Sequence, residues 1–276
     1  MLTFVEAISL AGDRNKQNDD TLGFQQKSAW VIDGATDLGE TPLTKTASDA
    51  SWIAQSANTS LSAWTYGDLR EAVRSASEAA ASAFSYLTRG QNVERWQLPT
   101  ASLLMLTENE SGVIEGIDIG DCRVFALDAN GLQVAGGHGG VDDEVKFAAS
   151  QPDPGKPLLK RQAAIAALRR ARAAMNQEGG RRWSFSLQPA CADHARAWTL
   201  ALKKPAHLLL MTDGFSALAD RYHVYEPADL VKAAIAGGLQ DLGRELRAYE
   251  QADASGARHP RFKTSDDATA ILLRLT

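Results

Sequence analysis

The chain has 276 residues, of which 44% are hydrophobic and 23% are charged, as in an ordinary soluble globular protein. Its net charge of −5 argues against a nucleic-acid-binding protein, which normally carries a basic face, and it also disfavours binding to a membrane surface. No apolar run approaches the ~20 residues that span a bilayer, and the N-terminus lacks the pattern of a secretory signal. Cys122 and Cys191 follow no pairing pattern, which favours reduced thiols in a cytoplasmic protein.

The first third of the chain predicts strands followed by helices. Residues 2–10 alternate weakly between apolar and polar and predict an edge strand, and residues 20–33 predict a hairpin whose second arm is 28–32. From 42 to 89 the apolar residues recur at near-helical spacings, which predicts two helices. The break between them is expected near Tyr66-Gly67-Asp68, where Asp68 can cap the second helix.

The rest of the chain predicts further strands and helices around one loop-rich segment. Residues 136–189 are interpreted as an insert, in which 158–177 are predicted to be helical. Closely spaced strand-like runs without intervening helices are typical of antiparallel hairpins. The predicted strands are 101–107, 113–119, 123–128, 183–187, 198–202, 207–212 and 268–275, and the predicted helices are 226–236 and 239–249. This order fits two antiparallel sheets packed together with helices outside them.

Short acidic motifs recur along the chain, mostly beside apolar, strand-like runs. A buried strand that ends in Asp-Gly places a carboxylate at the rim of the sheet, and the glycine lets the backbone turn so that its carbonyl can also face a ligand. Clustered carboxylates without a cation would repel one another and protonate, so several of them indicate a shared site for a hard cation. The motifs are Asn18-Asp19-Asp20, Val31-Ile32-Asp33-Gly34, Gly120-Asp121-Cys122-Arg123, Met211-Thr212-Asp213-Gly214 and Ser265-Asp266-Asp267-Ala268-Thr269.

These motifs, in this order, resemble the bacterial type of the PPM family of metal-dependent protein phosphatases, also called type 2C protein phosphatases. The resemblance runs from about Ser9 to Leu275, and Pro99-Thr100-Ala101-Ser102 also looks like a strand start of the family. It implies an α+β fold, a four-layer α-β-β-α sandwich in which two antiparallel sheets are flanked by helices. It also implies a single phosphatase domain over residues 1–276, with a variable insert or flap at about 136–189.

The resemblance further implies a site for two Mg or Mn ions, with a third that binds more weakly. Such ions prefer oxygen ligands, and two of them bridged by a carboxylate can activate water for in-line displacement at phosphorus. No His or Cys cluster for zinc is recognisable. The implied ligands are Asp33 as the bridge between both metals, Asp213 and Asp266 on the first metal, Asp19 and the Gly34 carbonyl on the second, and Asp121 on the third.

Two further residues are given catalytic roles beside Asp33. Asp20 looks like the acid that holds metal-bound water, and Arg14 looks like the arginine that binds the substrate phosphate. Arg14 lies one residue further from the Asn-acid-Asp motif than the common bacterial spacing, and Lys16 lies closer. Either Arg14 reaches the phosphate through a bulged loop, or Lys16 replaces it with a contact that is not bidentate.

The chain also departs from the family pattern around the site. Ala35 follows Asp33-Gly34, where some relatives have a histidine that acts as a general acid, and Asp118 occupies the usual Asn position before Gly-Asp. The Thr-x-Asp-His motif of the flap is not recognisable in 136–145. Asp121 has a second interpretation, as the partner of Arg123 in a structural ion pair.

The arginines of the insert also have two interpretations, as a solvated helix face or as a surface that contacts acidic phosphoprotein. They are Arg161, Arg169, Arg170 and Arg172.

The function expected from this combination is a cytoplasmic serine/threonine protein phosphatase. It would hydrolyse phosphoserine and phosphothreonine in a phosphorylated protein substrate, with two Mg or Mn ions and a bridging water. One alternative is a phosphatase fold with little turnover that acts as a regulatory binding module, and another is hydrolysis of a small phosphate ester. No nucleic acid or membrane partner is expected, and the sequence assigns no oligomeric state.

Overall fold

The computed structural model describes residues 1–65, 67–137, 146–147, 150, 159, 162–180 and 182–276. In these residues, eleven strands form two antiparallel sheets. The strands are β1 Leu2–Leu10, β2 Asp20–Gln25, β3 Ser28–Gly34, β4 Thr100–Glu108, β5 Ile114–Ile119, β6 Arg123–Asp128, β7 Gly131–Gly136, β8 Phe185–Ser186, β9 Arg196–Leu200, β10 Ala206–Met211 and β11 Ala268–Leu275. One sheet has the order β1-β11-β10-β6-β7, and the other has β2-β3-β4-β5-β9 with β8 beside β4.

The helices lie outside the two sheets and connect their strands. Asp68 caps the second helix as predicted, because its carboxylate accepts a hydrogen bond from the backbone N–H of Arg70 at 2.8 Å. The α-helices are α1 Asp49–Ala63, α2 Leu69–Leu87, α3 Gln162–Ala173, α4 Asp213–Asp220, α5 Pro227–Gly237 and α6 Leu239–Ala252. None of the helices in the described ranges is long and apolar enough to cross a membrane.

Alternating side chains of each strand build three layers of core. In β3, Ala29 and Val31 pack between the two sheets, whereas Trp30 and Ile32 point to the outer face and pack against α1 and α2. On the far side, β10 and β11 pack their outer faces against α4, α5 and α6. Both faces of each sheet are therefore covered, which explains why these strands are almost continuously apolar. The predicted four-layer α-β-β-α sandwich is confirmed.

The antiparallel registers bring the ends of several strands to one edge of the sandwich. In one sheet, the end of β10 at Met211 pairs with Arg123 at the start of β6 and with Ala270 near the start of β11. In the other, Asp33 near the end of β3 pairs with Asp20 at the start of β2 and with Ser102 in β4. The acidic motifs adjoin these strand ends, so the fold collects them at a common rim.

Five elements differ from the expectations drawn from the sequence. Helix α4 was not predicted, because Asp213-Gly214 was interpreted as the end of a strand. The helix has eight residues, of which six are buried, so it shows no polar face. Strand β7 was also missed, β8 is shorter than the predicted 183–187, and β9 begins two residues before the predicted 198–202. The insert helix occupies 162–173 among the described residues, whereas Arg161 and most of the segment 136–145 lie outside them.

Candidate active site

Asp33 is the central carboxylate of the candidate site. It lies near the end of β3, is half-buried, and lines a cavity of about 660 Å³ together with Asp121, Asp213 and Asp266. Burial raises the pKa of Asp33 well above its usual range, and the charges of Asp20, Asp213, Asp121 and Asp266 raise it further. The structure therefore places these predicted residues close enough for their charges to interact, so that each ionised carboxylate disfavours the ionisation of Asp33.

Asp20 lies opposite Asp33 in the β2–β3 ladder and is buried. Its Oδ2 accepts a hydrogen bond from the Thr212 hydroxyl at 2.8 Å, whereas its Oδ1 is buried and has no hydrogen-bond partner among the described residues. Burial, followed by the charge of Asp267, raises the pKa of Asp20 to about 7. This carboxyl can thus gain or lose a proton near neutral pH.

Asp19 and Gly34, which were assigned to the same metal, are direct neighbours. The backbone N–H of Gly34 donates to the carbonyl of Asp19 at 3.1 Å. The Asp19 side chain accepts a hydrogen bond from the Ser48 hydroxyl, the N-cap of α1, at 2.6 Å. Burial raises the pKa of Asp19 to about 6, although the Ser48 hydrogen bond acts in the opposite direction. The structure thus brings this pair together as the resemblance implies.

The glycines after Asp33 and Asp213 serve close packing rather than a sharp turn. Neither Gly34 nor Gly214 has a positive φ. A Cβ on Gly34 would lie 2.4 Å from the backbone oxygen of Ala50, and a Cβ on Gly214 would lie 1.9 Å from that of Asp267. The expectation that glycine is needed here for its conformational freedom is therefore wrong, because what these positions require is the absence of a side chain.

Asp266 is held by a lysine that the sequence reasoning missed. The Lys263 ammonium lies 2.8 Å from Asp266 Oδ1. Burial raises the pKa of Asp266, but the charge and hydrogen bond of Lys263, together with the charge of Arg221, outweigh burial and keep this pKa below its usual value. A lysine three residues before an aspartate in a loop is a weak signal, since such pairs are common on surfaces. Here the pair matters because it supplies positive charge at the edge of an acidic cluster.

Asp267 joins the two ends of the chain beneath the site. Its Oδ1 accepts from the backbone N–H of Gly12 at 2.7 Å, and its Oδ2 accepts from the backbone N–H of Asp19 at 2.8 Å. These bonds tie the first acidic motif to the last one. Asp267 was not assigned a role from the sequence, although it stands beside a predicted ligand.

Asp121 belongs to the cavity and does not pair with Arg123. The Ser102 hydroxyl donates to Asp121 Oδ1 at 2.6 Å. Arg123 instead contacts Asp220 at 2.8 Å and the backbone carbonyl of Gly137 at 3.3 Å. The interpretation of Asp121 and Arg123 as an ion pair is therefore wrong, and Asp121 keeps its place beside Asp33.

Arg14 is not brought into the cavity. It is exposed in the loop before β2, and neither Arg14 nor Lys16 lines the cavity. The cavity instead receives three arginines from later segments, namely Arg172, Arg182 and Arg196. Arg196 is bound to the buried carboxylate of Asp118 and lies 3.3 Å from the carbonyl of Gly120. In the sequence, an acid at position 118 inside an apolar strand was the feature that could have indicated a basic partner such as Arg196.

The donor set of the cavity fits a hard divalent cation. Its acidic residues offer carboxylate oxygens whose charges add to the effect of burial in raising the pKa of Asp33, and Asp20 Oδ1 is a buried oxygen without a partner among the described residues. Mg and Mn accept such ligands. In the described ranges no three or more His, Cys, Asp or Glu side chains form a ready-made metal-ligating group. The carboxylates therefore share a cavity without forming a closed ligand shell, and Asp266 is neutralised by Lys263.

Comparison with known proteins identifies the architecture. No family model matches the chain, and no curated protein matches it in sequence. Among solved structures, the Mycobacterium tuberculosis serine/threonine phosphatase PstP/Ppp matches with a TM-score of 0.60, 15% identity, and coverage of 99% of this chain and 98% of the other. The PPM Ser-Thr phosphatase MsPP from Mycobacterium smegmatis matches with a TM-score of 0.55, 16% identity, and coverage of 99% and 98%. The chain has the PPM phosphatase fold.

A third match shows what one protein with the PPM fold contains. The catalytic domain of the serine/threonine protein phosphatase PstP, in complex with two manganese ions, matches with a TM-score of 0.54 and 15% identity. The alignment covers 99% of this chain and 97% of that domain. The predicted fold is thus confirmed over nearly the full length of both chains.

Proposed function

We propose that the protein is a metal-dependent phosphatase that hydrolyses phosphoserine and phosphothreonine in proteins. The observation that carries this proposal is the cavity in which Asp33, Asp121, Asp213 and Asp266 meet. They come from both sheets. Burial raises the pKa of Asp33 well above its usual range, and the charges of the neighbouring carboxylates raise it further. Such an arrangement is costly to the fold unless a cation offsets it, and oxygen ligands of this kind suit Mg or Mn. The likeness in fold to PstP, which has been observed with two manganese ions, supports the same choice.

In this proposal the acidic residues divide between two ions. Asp33 is the shared ligand, in keeping with its central place among the carboxylates. The remaining ligands are Asp213 and Asp266 for one ion, Asp19 and the Gly34 carbonyl for the other, and Asp121 for a weaker third. When bound, the ions would supply positive charge to the phosphate and acidify a water molecule.

The chain itself contributes a proton acceptor at the site. Asp20 Oδ1 is buried and has no partner among the described residues, whereas the Thr212 hydroxyl fixes Oδ2. In the metal-free protein, burial and the charge of Asp267 raise the pKa of Asp20 to about 7. Its Oδ1 is the atom at which Asp20 would accept a proton from an attacking water. The Thr212 hydroxyl also accepts a hydrogen bond from the backbone N–H of Thr269 at 3.0 Å, so Thr212, which follows β10, is tied to β11 while it orients the Asp20 carboxyl.

Turnover of p-nitrophenyl phosphate tests the proposal. We expect hydrolysis with Mn, loss of hydrolysis with EDTA, and recovery when Mn is returned. Asp33→Asn should abolish this activity, whereas the matched change Asp193→Asn at an exposed site should leave it unchanged. Near-normal turnover of Asp33→Asn would refute the two-metal assignment. Metal binding without hydrolysis of p-nitrophenyl phosphate or phosphopeptides would favour the regulatory binding module instead.

A further inference from the structure

The insert helix α3 presents one arginine to the acidic cavity. Arg172 lines this cavity together with Asp33, Asp213 and Asp266. Its Nη2 donates to the backbone carbonyl of Thr36 at 3.2 Å. Because Thr36 follows Asp33 by three residues, the guanidinium lies beside the segment that carries the central carboxylate.

Most of the hydrogen-bonding capacity of Arg172 is not used by the protein. A guanidinium has five N–H donors, and among the described residues Arg172 makes one hydrogen bond, to Thr36, and no ion pair. Burial lowers the pKa of Arg172, while the charge of Asp37 acts in the opposite direction. Asp37 itself accepts hydrogen bonds from the backbone N–H groups of Asp49 at 2.8 Å and Ala50 at 3.1 Å, at the start of α1. A partly desolvated cation without an ion-pair partner is costly, and an anion in the cavity would offset that cost.

The position of Arg172 is fixed by its neighbours on α3. Arg169, one turn earlier, donates twice to the carbonyl of Leu38, at 3.1 Å from Nε and 2.7 Å from Nη2. The same guanidinium lies 4.1 Å from the ring centre of Trp96. At the end of the helix, Arg95 Nε donates to the carbonyl of Ala173 at 2.9 Å. These contacts hold α3 against the loop after β3, so Arg172 is directed at the cavity by a supported helix.

The other basic side chains near the cavity are less suited to a phosphate, and Arg182, which also lines the cavity, is exposed. Arg14 is exposed and does not line the cavity. Arg196 lines it but is bound to Asp118 and lies near the Gly120 carbonyl. We infer that Arg172 binds the phosphate group of the substrate in the cavity, a role that the sequence assigned to Arg14. This inference rests on the proposed function, and it makes the insert a part of substrate recognition.

Calorimetric titration with inorganic phosphate in the presence of Mn tests this inference directly. Arg172→Gln should weaken phosphate binding about tenfold or more, because it removes a charge-assisted contact. Arg172→Lys keeps the charge but not the planar fork, so it should restore only part of the affinity. The matched control is Arg170→Gln, which removes the same charge from an exposed position of the same helix and should bind phosphate as the wild type does. Urea unfolding of each variant establishes that it is folded.

The outcomes separate this inference from the proposed function. Phosphate binding by Arg172→Gln within twofold of the wild type overturns the inference, and so does a wild type that binds no phosphate at millimolar concentration. A tenfold loss with Arg14→Gln but not with Arg172→Gln returns the role to the first loop. A wild type that binds phosphate through Arg172 but hydrolyses no ester supports the inference and refutes the proposed function. Normal hydrolysis and an unchanged KM in Arg172→Gln refute the inference alone.

Discussion

Replacing Asp20 by Asn should stabilise the metal-free protein at neutral and alkaline pH. Asp20 is 4% exposed, and burial together with the charge of Asp267 raises its pKa from 3.8 to about 7. At about 1.4 kcal/mol per pKa unit, this shift corresponds to about 4 kcal/mol. The folded carboxyl keeps its proton up to about pH 7, whereas the unfolded one releases it near pH 3.8. The stability contributed by Asp20 is therefore complete below pH 3.8 and is lost as the pH rises to about 7.

An asparagine at position 20 cannot ionise, so its contribution does not change with pH. It can still accept the hydrogen bond from the Thr212 hydroxyl that Asp20 Oδ2 accepts at 2.8 Å. We expect the free energy of unfolding of Asp20→Asn, relative to wild type, to increase by about 3 kcal/mol between pH 5 and pH 8.

Urea unfolding in EDTA at both pH values measures this difference. Asp229→Asn, at a position where the side chain is 58% exposed, is the control and should differ from wild type by less than about 0.5 kcal/mol at either pH. The reasoning would be refuted if Asp20→Asn were less stable than wild type at pH 8, or if the difference were the same at both pH values. Either result would mean that Asp20 does not carry an unfavourable buried charge.

Three further predictions concern the metal and the packing around it. Millimolar Mg or Mn should raise the melting temperature measured by calorimetry. At a hundredfold excess over the dissociation constant, the metal should add about 2.7 kcal/mol to the free energy of unfolding. The double variant Asp33→Ala, Asp266→Ala should show no rise in melting temperature. Gly214→Ala should destabilise the fold by about 1–3 kcal/mol in urea unfolding, because its Cβ would lie 1.9 Å from the Asp267 carbonyl oxygen. Gly39→Ala is the control and should be nearly neutral, since its Cβ would meet no atom closer than 3.7 Å. Asp220→Ala should lower the free energy of unfolding by up to about 3–5 kcal/mol, because it leaves Arg123 without its carboxylate partner at 2.8 Å. Adding Arg123→Met should recover part of that loss, and equal losses in the single and double variants would contradict the ion-pair argument.

The fold was largely predictable because its signals are local. The apolar runs of β3, β10 and β11 are covered on both faces, so they appear as continuous hydrophobic segments. Helices α1 and α2 show their spacing because one side of each faces solvent. Helix α4 could not be predicted in the same way, since it is short, mostly buried and begins with Asp213-Gly214. Periodicity identifies helices at the surface better than helices inside.

The carboxylates of the site were predictable for a different reason. They follow or precede strands, and antiparallel pairing brings those strand ends to the same rim, as the register of Asp20 with Asp33 illustrates. The basic residues were not predictable, because they depend on how distant segments pack. Lys263 neutralises Asp266 across a loop, and Arg172 lines the cavity from a helix that Arg169 holds on the carbonyl of Leu38.

The assignment of Arg14 illustrates this limit. A position relative to a motif gives the distance along the chain but not the direction of the side chain. Arg14 lies in an exposed loop whose backbone is closed by a hydrogen bond from the N–H of Lys16 to the carbonyl of Asp13 at 3.0 Å. Its role in binding phosphate stays a prediction, and Arg172 is the competing assignment that the cavity supports.

The central claim is that Asp33 organises a metal-dependent phosphatase site. Its most direct test is the initial rate of phosphate release from a phosphothreonine peptide as Mn is titrated into the metal-free protein. We predict a rate that rises from near zero and saturates for the wild type, and no rise for Asp33→Asn, although that variant should unfold at the same or a higher urea concentration in EDTA. Hydrolysis that is independent of Mn, or equal in the two proteins, would contradict the claim.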